Sequence, residues 1–377
     1  LLTIIENVRI YEPADLGVGD IVFCGEKIID VGAGLAKSYP TARRIRGEGL
    51  SAVPGYIDQH VHITGGGGEG SFKTRLPELQ LSQCIKAGVT TVVGLLGTDG
   101  LTRSIENLVA KTKGLNEEGI TAYCLTGSYA YPSLTLTGDL KKDIAYIQEV
   151  IGVKIAISDH RSSHVTKQEL IRLASDVRLA SLMSGKPGII TFHTGRGKEQ
   201  LDLIFEIVQE TELPIKHFRP THVSNLREAA VKFAKMGGYI DFTASVDAEA
   251  GADTVIEAVK AGAPLDKITL SSDSNGSFPK WNERNEIIGL EAASMDTLHG
   301  LIKALAAREE MGITKALSLV TANAAAALEL ENKKGRLKAG LDADILLLRQ
   351  DLSIEGVIAR GQVVMENGEV VVKGTFE

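Results

Sequence analysis

What most constrains this chain is a rhythm. Between residues 54 and 330, short runs rich in Val and Ile alternate with longer stretches of helical periodicity. The strand-like runs are AVPGYIDQHVHI, TTVVGLLG, TAYCLTGS, GVKIAISD, GIITFHT, IKHFRPTHV, GYIDFTAS and KITLSSD. Segments such as LPELQLSQCIKAG, LTRSIENLVAKTKGLNEEG and KQELIRLASDVRLASLMSG separate them, and several end in Gly, as helix C-caps do. Eight strands alternating with helices predict an α/β fold, a distorted (β/α)8 TIM barrel. A doubly wound open sheet also alternates, but its glycine-rich turn follows the first strand directly, whereas here two histidines come first.

The two ends read differently. TIIENVRIY, GDIVFCGEKIIDVGAG and ARRIRGEG at the start, and ADILLLRQ and IEGVIARGQVVMENGEVVVKG at the finish, are short strands with turn residues between them. Gly25-Glu26 and Asn367-Gly368 mark two of the turns. Neither end is long enough for a good core alone. They are expected to share one small β-sandwich domain (residues 1–53 and 331–377), with the barrel (54–330) inserted between them.

Composition narrows the function. The chain has 377 residues, 44% of them hydrophobic, and a formal net charge of -7. That is ample apolar material for a large core, and an acidic balance argues against nucleic acid as the main partner. Cys24, Cys84 and Cys124 are widely spaced and read as apolar core residues in a reducing compartment. No apolar run reaches the roughly 18 residues needed to span a membrane, so no membrane partner is expected. The start, LLTIIENVRIYEP, lacks the basic segment and cleavage site of a signal peptide. A cytoplasmic location is expected.

A barrel places its chemistry at the C-terminal ends of its strands. Polar groups stand at the ends of seven of the eight runs: His60 and His62, Thr98, Tyr129, Lys154 with Asp159 and Arg161, His193, His222, and Asp273. On a strand, residues two apart face the same side, so His60 and His62 project together, close enough to share one metal ion. Lys154 sits mid-strand among apolar residues, where an amine is costly to bury unless paired or chemically changed. Carboxylation by carbon dioxide would turn it into a carbamate able to bridge two cations. Four histidines, this lysine and Asp273 together point to a two-metal site.

These residues resemble the amidohydrolase superfamily, in which HxH, lysine, His, His and Asp fall on successive strands. More closely, GYIDQHVHITGGGGEG, VVGLLGTD, LTGSYAYPS, GVKIAISDHRS, FHTG, PTHV, LSSDSNGS and VKGTFE look like the isoaspartyl dipeptidase family over nearly the whole chain. The resemblance implies a binuclear zinc enzyme that hydrolyses β-aspartyl (isoaspartyl) dipeptides to aspartate and an amino acid, by attack of a metal-bridging hydroxide. It implies two Zn2+ per subunit: His60 and His62 on one with Asp273, His193 and His222 on the other, and carboxylated Lys154 across both. Asp273 would also shuttle the proton from nucleophile to leaving amine. Tyr129 would donate to the developing oxyanion, Tyr131 being close enough to compete for the role. Glu69 would take the substrate ammonium. Gly67 in the Gly65–Gly68 run, Thr98, Arg161 and Ser277 would serve its carboxylates. The resemblance implies a homo-oligomer too, an octamer.

One position departs from the family. Asn225 stands where a second carboxylate-binding arginine is usual, with Arg227 two residues on as the candidate substitute. His160, His164, His217 and His299 match no ligand position; bland roles are expected, with His160 shaping its loop. Two rival readings remain open: a cyclic-amide hydrolase of the dihydroorotase or hydantoinase type, and a non-catalytic barrel used in assembly. The first has no use for Glu69, and the second none for six ligand-type residues.

Overall fold

The structure, a computed structural model, describes residues 1–282, 284 and 287–377. Eight strands form one parallel sheet in chain order: β1 (Tyr56–Val61), β2 (Val89–Gly94), β3 (Thr121–Gly127), β4 (Val150–Ile157), β5 (Ile189–Thr194), β6 (Phe218–Thr221), β7 (Ile240–Thr243) and β8 (Ile268–Ser271). The sheet curls until its edges meet. Val61 bridges Ser274 in parallel just beyond β8, and His62 N–H donates to the Ser274 carbonyl at 2.9 Å. This is the expected (β/α)8 barrel. Its strands are buried on both faces, as helices outside and side chains inside require: every residue of β1, β2 and β4 is buried.

The helices follow from local chemistry. Thr166 and Glu169 form a capping box at the start of Lys167–Ser184, and Gly185 ends that helix in the left-handed conformation. Leu170, Leu173, Ala174 and Val177 fall on its buried face. Ser104 accepts the Asn107 N–H at the start of Ile105–Glu118, and left-handed Gly119 ends it. One large apolar core lies between sheet and helices.

Strands from both ends of the chain make a second sheet of nine strands. Leu2–Tyr11 pairs with Asp15–Cys24, Arg43–Arg46 and Ser51–Pro54. Ser51–Pro54 in turn pairs antiparallel with Ile345–Leu348, joining the two ends. Asn367 and Gly368, at φ 55° and 77°, make the tight turn between Gln362–Glu366 and Glu369–Val370. Ile5, Val8, Ile21, Phe23, Ile345 and Leu347 form a separate core here. Among the described residues no helix is long and apolar enough to cross a membrane.

Candidate metal centre and substrate pocket

The parallel strands bring their C-terminal ends to one mouth, where three of the expected ligands converge. His60 and His62 lie one residue to either side of Val61, and Asp273 follows β8. Their ligand atoms all lie within 4.8 Å of one another, and all three residues are buried. His62 Nε2 is 3.0 Å and His60 Nε2 3.3 Å from Asp273 Oδ1. These approaches are not aligned as hydrogen bonds, so among the described residues Asp273 Oδ1 is a buried acceptor with no donor. Two imidazoles around an unpaired carboxylate oxygen make a donor set that could hold a divalent cation. Burial, then the positive charge of Lys154, holds the His60 imidazole neutral, its pKa well below the usual value. Burial alone would raise the Asp273 carboxyl, but His62, His222 and Lys154 outweigh it and keep the carboxylate ionised.

Lys154 is fully buried in β4, its Nζ 3.3 Å from His60 Nε2. Desolvation brings its pKa down to about 7, against a weaker upward pull from Asp273 and Asp241. His222 completes this side. Its ring centre is 4.9 Å from that of His60, and its Nδ1 sits 2.7 Å from Thr243 Oγ1, while Nε2 makes no hydrogen bond among the described residues. Both His222 and Asp273 have positive φ, 60° and 54°. Such a backbone is costly for residues with side chains and concentrates at functional sites.

His193 is held differently. Its ring is 4.8 Å from that of His222, yet both nitrogens are engaged: Nδ1 with Tyr129 Oη at 2.6 Å, and Nε2 with Asp159 Oδ2 at 3.0 Å and Arg161 NH2 at 3.1 Å. Burial lowers its pKa to about 4, with Asp159 pulling upward. The Tyr129 phenol is driven well above its ordinary range, chiefly by burial, and so stays protonated. Of the two tyrosines it is Tyr129 whose hydroxyl meets His193, while the Tyr131 backbone N–H donates to Ser163 Oγ at 2.9 Å.

The glycine run is not a flexible loop. Gly65 and Gly67 have φ near 80°, and a Cβ on either would strike the carbonyl oxygen of Leu76 or Thr74. The amides of Gly65, Gly66 and Gly68 donate to His62, Asn275 and Thr74 carbonyls, so they are not offered to a ligand. Gly67 N–H alone of the four has no acceptor among the described residues. Beyond the run, Glu69 Oε1 is 2.8 Å from Thr98 Oγ1 and 2.6 Å from Arg161 NH1. Arg161 also grips Asp159 through Nε and NH2, at 2.8 and 2.9 Å. Bonded to Asp159 on one side and Glu69 on the other, Arg161 ties the end of β4 to the loop after β1. Ser277 opens the hairpin strand Ser277–Trp281, and its hydroxyl makes no hydrogen bond among the described residues.

Arg227 does not stand in for the missing arginine. It starts the helix Arg227–Lys235, whose phase turns it outward into an exposed ion pair with Glu257. Asn225 instead lines a cavity of about 640 Å3 beside Arg161 and His193. His217 and His299 are structural, bonded to the Gly188 and Leu352 carbonyls.

Three supporting residues escaped the sequence reading. Asp58 accepts from His60 N–H and from the amide and hydroxyl of Ser272, so it clamps the strands bearing His60 and Asp273. The same alternation that pairs His60 with His62 puts Asp58 on their face, and was the signal available. Buried Arg103 donates to the carbonyls of Thr64, Gly66 and Leu76, fixing the glycine run. Thr243 orients His222 from the end of β7. Nothing local in the sequence marks the last two.

Comparison with known proteins agrees with this geometry. A model of the amidohydrolase family matches residues 51–364. The chain belongs to the amidohydrolase family. Within that family it is similar to the crystal structure of a beta-aspartyl dipeptidase from Fervidobacterium islandicum AW-1 in complex with beta-Asp-Leu dipeptide. The two share 42% identity over 98% of each chain, with a TM-score of 0.93. A dihydroorotase from Elusimicrobium minutum is 24% identical over 96% of this chain and 90% of its own. The dihydropyrimidinase of Brevibacillus agri shares the amidohydrolase fold, with a TM-score of 0.70 at 15% identity, over 99% of this chain and 97% of its own.

Proposed function

We propose that this amidohydrolase hydrolyses β-aspartyl dipeptides, releasing aspartate and an amino acid. The observation that carries the reading is the Glu69–Arg161 pair at the rim of the metal cluster. The head of a β-aspartyl dipeptide bears an ammonium and a carboxylate on one carbon. A carboxylate and a guanidinium already in contact form the complementary surface: Glu69 takes the ammonium and Arg161 the carboxylate, with Thr98 and Gly67 N–H as further donors. The 42% identity to a beta-aspartyl dipeptidase supports the same substrate.

His60, His62 and Asp273 would hold one zinc ion and His193 with His222 a second, bridged by carboxylated Lys154. For that, His193 must release one of its present partners, Asp159 and Arg161 on Nε2 or Tyr129 on Nδ1. A pKa near 7 keeps much of the Lys154 amine uncharged at neutral pH, the form that reacts with carbon dioxide. When bound, such ions supply positive charge that acidifies a water and polarises the scissile carbonyl. Tyr129, held protonated by burial, donates to the carbonyl oxygen as negative charge develops. Asp273 accepts the proton of the attacking water and passes it to the departing nitrogen. Glu69 and Arg161 fix the head so that the amide lies over the cluster.

The cyclic-amide reading has the dihydroorotase likeness behind it. Its substrate carries no ammonium, which leaves Glu69 without a role. The deciding experiment compares zinc-loaded protein on β-Asp-Leu, α-Asp-Leu and dihydroorotate. Turnover of the β form at least about 100-fold above the others supports the proposal. Equal rates on both dipeptides, or turnover of the ring alone, overturn it.

A further inference from the structure

We infer that Arg196 receives the terminal carboxylate of the departing amino acid and so restricts this site to substrates with a free C-terminus. The inference rests on the β-aspartyl reading and extends it to the other half of the substrate.

The cavity of about 640 Å3 beside the cluster is lined by His193, Arg161, Asn225, Phe278 and Arg196 among others. A dipeptide whose head is held by Glu69 and Arg161 projects its second residue into this space, and that residue ends in a carboxylate. Two cations line the cavity wall close to the cluster. Arg161 is already committed, with Asp159 on two of its nitrogens and Glu69 on a third. Arg196 is exposed and makes no hydrogen bond or ion pair among the described residues.

The backbone holds Arg196 in place while its side chain stays uncommitted. Gly195 N–H donates to the Ile157 carbonyl at 3.2 Å, and Gly197 N–H to the Ser158 carbonyl at 2.7 Å. A Cβ on Gly195 or Gly197 would overlap Ser158 or Asp159. The segment therefore lies flat against the end of β4, anchored on both sides of Arg196. A guanidinium on so fixed a backbone can bind a carboxylate in two-pronged fashion, with only its own side chain left to order. The side chain of Asn225, also unpaired, offers a further donor, and Phe278 an apolar wall for the departing side chain.

The test uses the zinc-loaded enzyme on β-Asp-Leu and on β-Asp-leucinamide, which lacks the terminal charge. Wild type is expected to favour the acid by about tenfold or more in kcat/KM, the worth of one charge-assisted contact. Arg196→Ala should raise KM for the acid by a similar factor with kcat within about twofold, and abolish the preference. Arg196→Lys should restore part of it. Lys198→Ala, a nearby exposed cation lining the adjacent cavity, serves as control and should keep the full preference. Equal use of both substrates by wild type, a preference that survives Arg196→Ala, or its loss in Lys198→Ala would overturn the inference. Failure of wild type to cleave β-Asp-Leu at all would instead overturn the β-aspartyl reading itself.

Discussion

Glu69 Oε1 and Arg161 NH1 stand 2.6 Å apart, joining the loop after β1 to the end of β4 across the mouth of the barrel. Each is largely withdrawn from water, and Asp159 braces the arginine from behind. Burial works against the Arg161 charge, but Asp159 outweighs it, and the guanidinium stays charged at any accessible pH. In the proposed reaction this pair opens to admit a zwitterion and is replaced by two contacts of the same kind.

Glu69→Gln should therefore damage recognition of the ammonium rather than the chemistry. We expect kcat/KM for β-Asp-Leu to fall about 100-fold, and much less for the N-acetylated substrate. Steady-state kinetics on the two substrates checks this.

Tyr129→Phe removes a donor that acts when charge develops on the carbonyl oxygen. The expected loss is about 100-fold or more in kcat, with KM changed only a few-fold. A dominant change in KM would assign Tyr129 to ground-state binding instead.

Thr243→Val takes away the hydroxyl that orients His222. Partners of this kind affect affinity more than fold, and zinc binding should weaken by about 10- to 100-fold. Zinc titration against a competing chelator measures it.

The barrel and the cluster of His60, His62 and Asp273 at its mouth were legible because they obey short-range rules. Alternation put His60 and His62 on one face, and an isolated lysine in GVKIAIS announced a buried cation. What stayed hidden depends on strands meeting in space. The linkage of Glu69, Arg161, Asp159 and His193 needs the ends of β1, β4 and β5 to converge, and no spacing encodes it. Gly65–Gly68 read as backbone free to approach a ligand; three of its amides are in fact used internally, on the carbonyls of His62, Asn275 and Thr74, which lie in three separate stretches of chain. Arg227 was misjudged because two residues of sequence separation became, at a helix start, a turn away from the site.

Lys154→Met should abolish activity and zinc retention, yet stabilise the metal-free protein. A lysine whose pKa falls from 10.5 to about 7 on folding destabilises the native state in full below pH 7. Between about pH 7 and 10.5 the unfolded chain holds the extra proton, so wild-type stability rises with pH and the cost disappears. The advantage of the variant, measured by denaturant unfolding in chelator, should be largest at pH 6 to 7 and shrink toward pH 10. An advantage constant with pH would mean that Lys154 does not lose its charge on burial.

The most direct test of the account is a crystal structure of the zinc-loaded protein with anomalous scattering recorded at the zinc edge. Two anomalous peaks are expected at the barrel mouth, one against His60, His62 and Asp273 and one against His193 and His222, with extra density on Lys154 Nζ reaching both. A bare Lys154 amine with no metal beside it would contradict it.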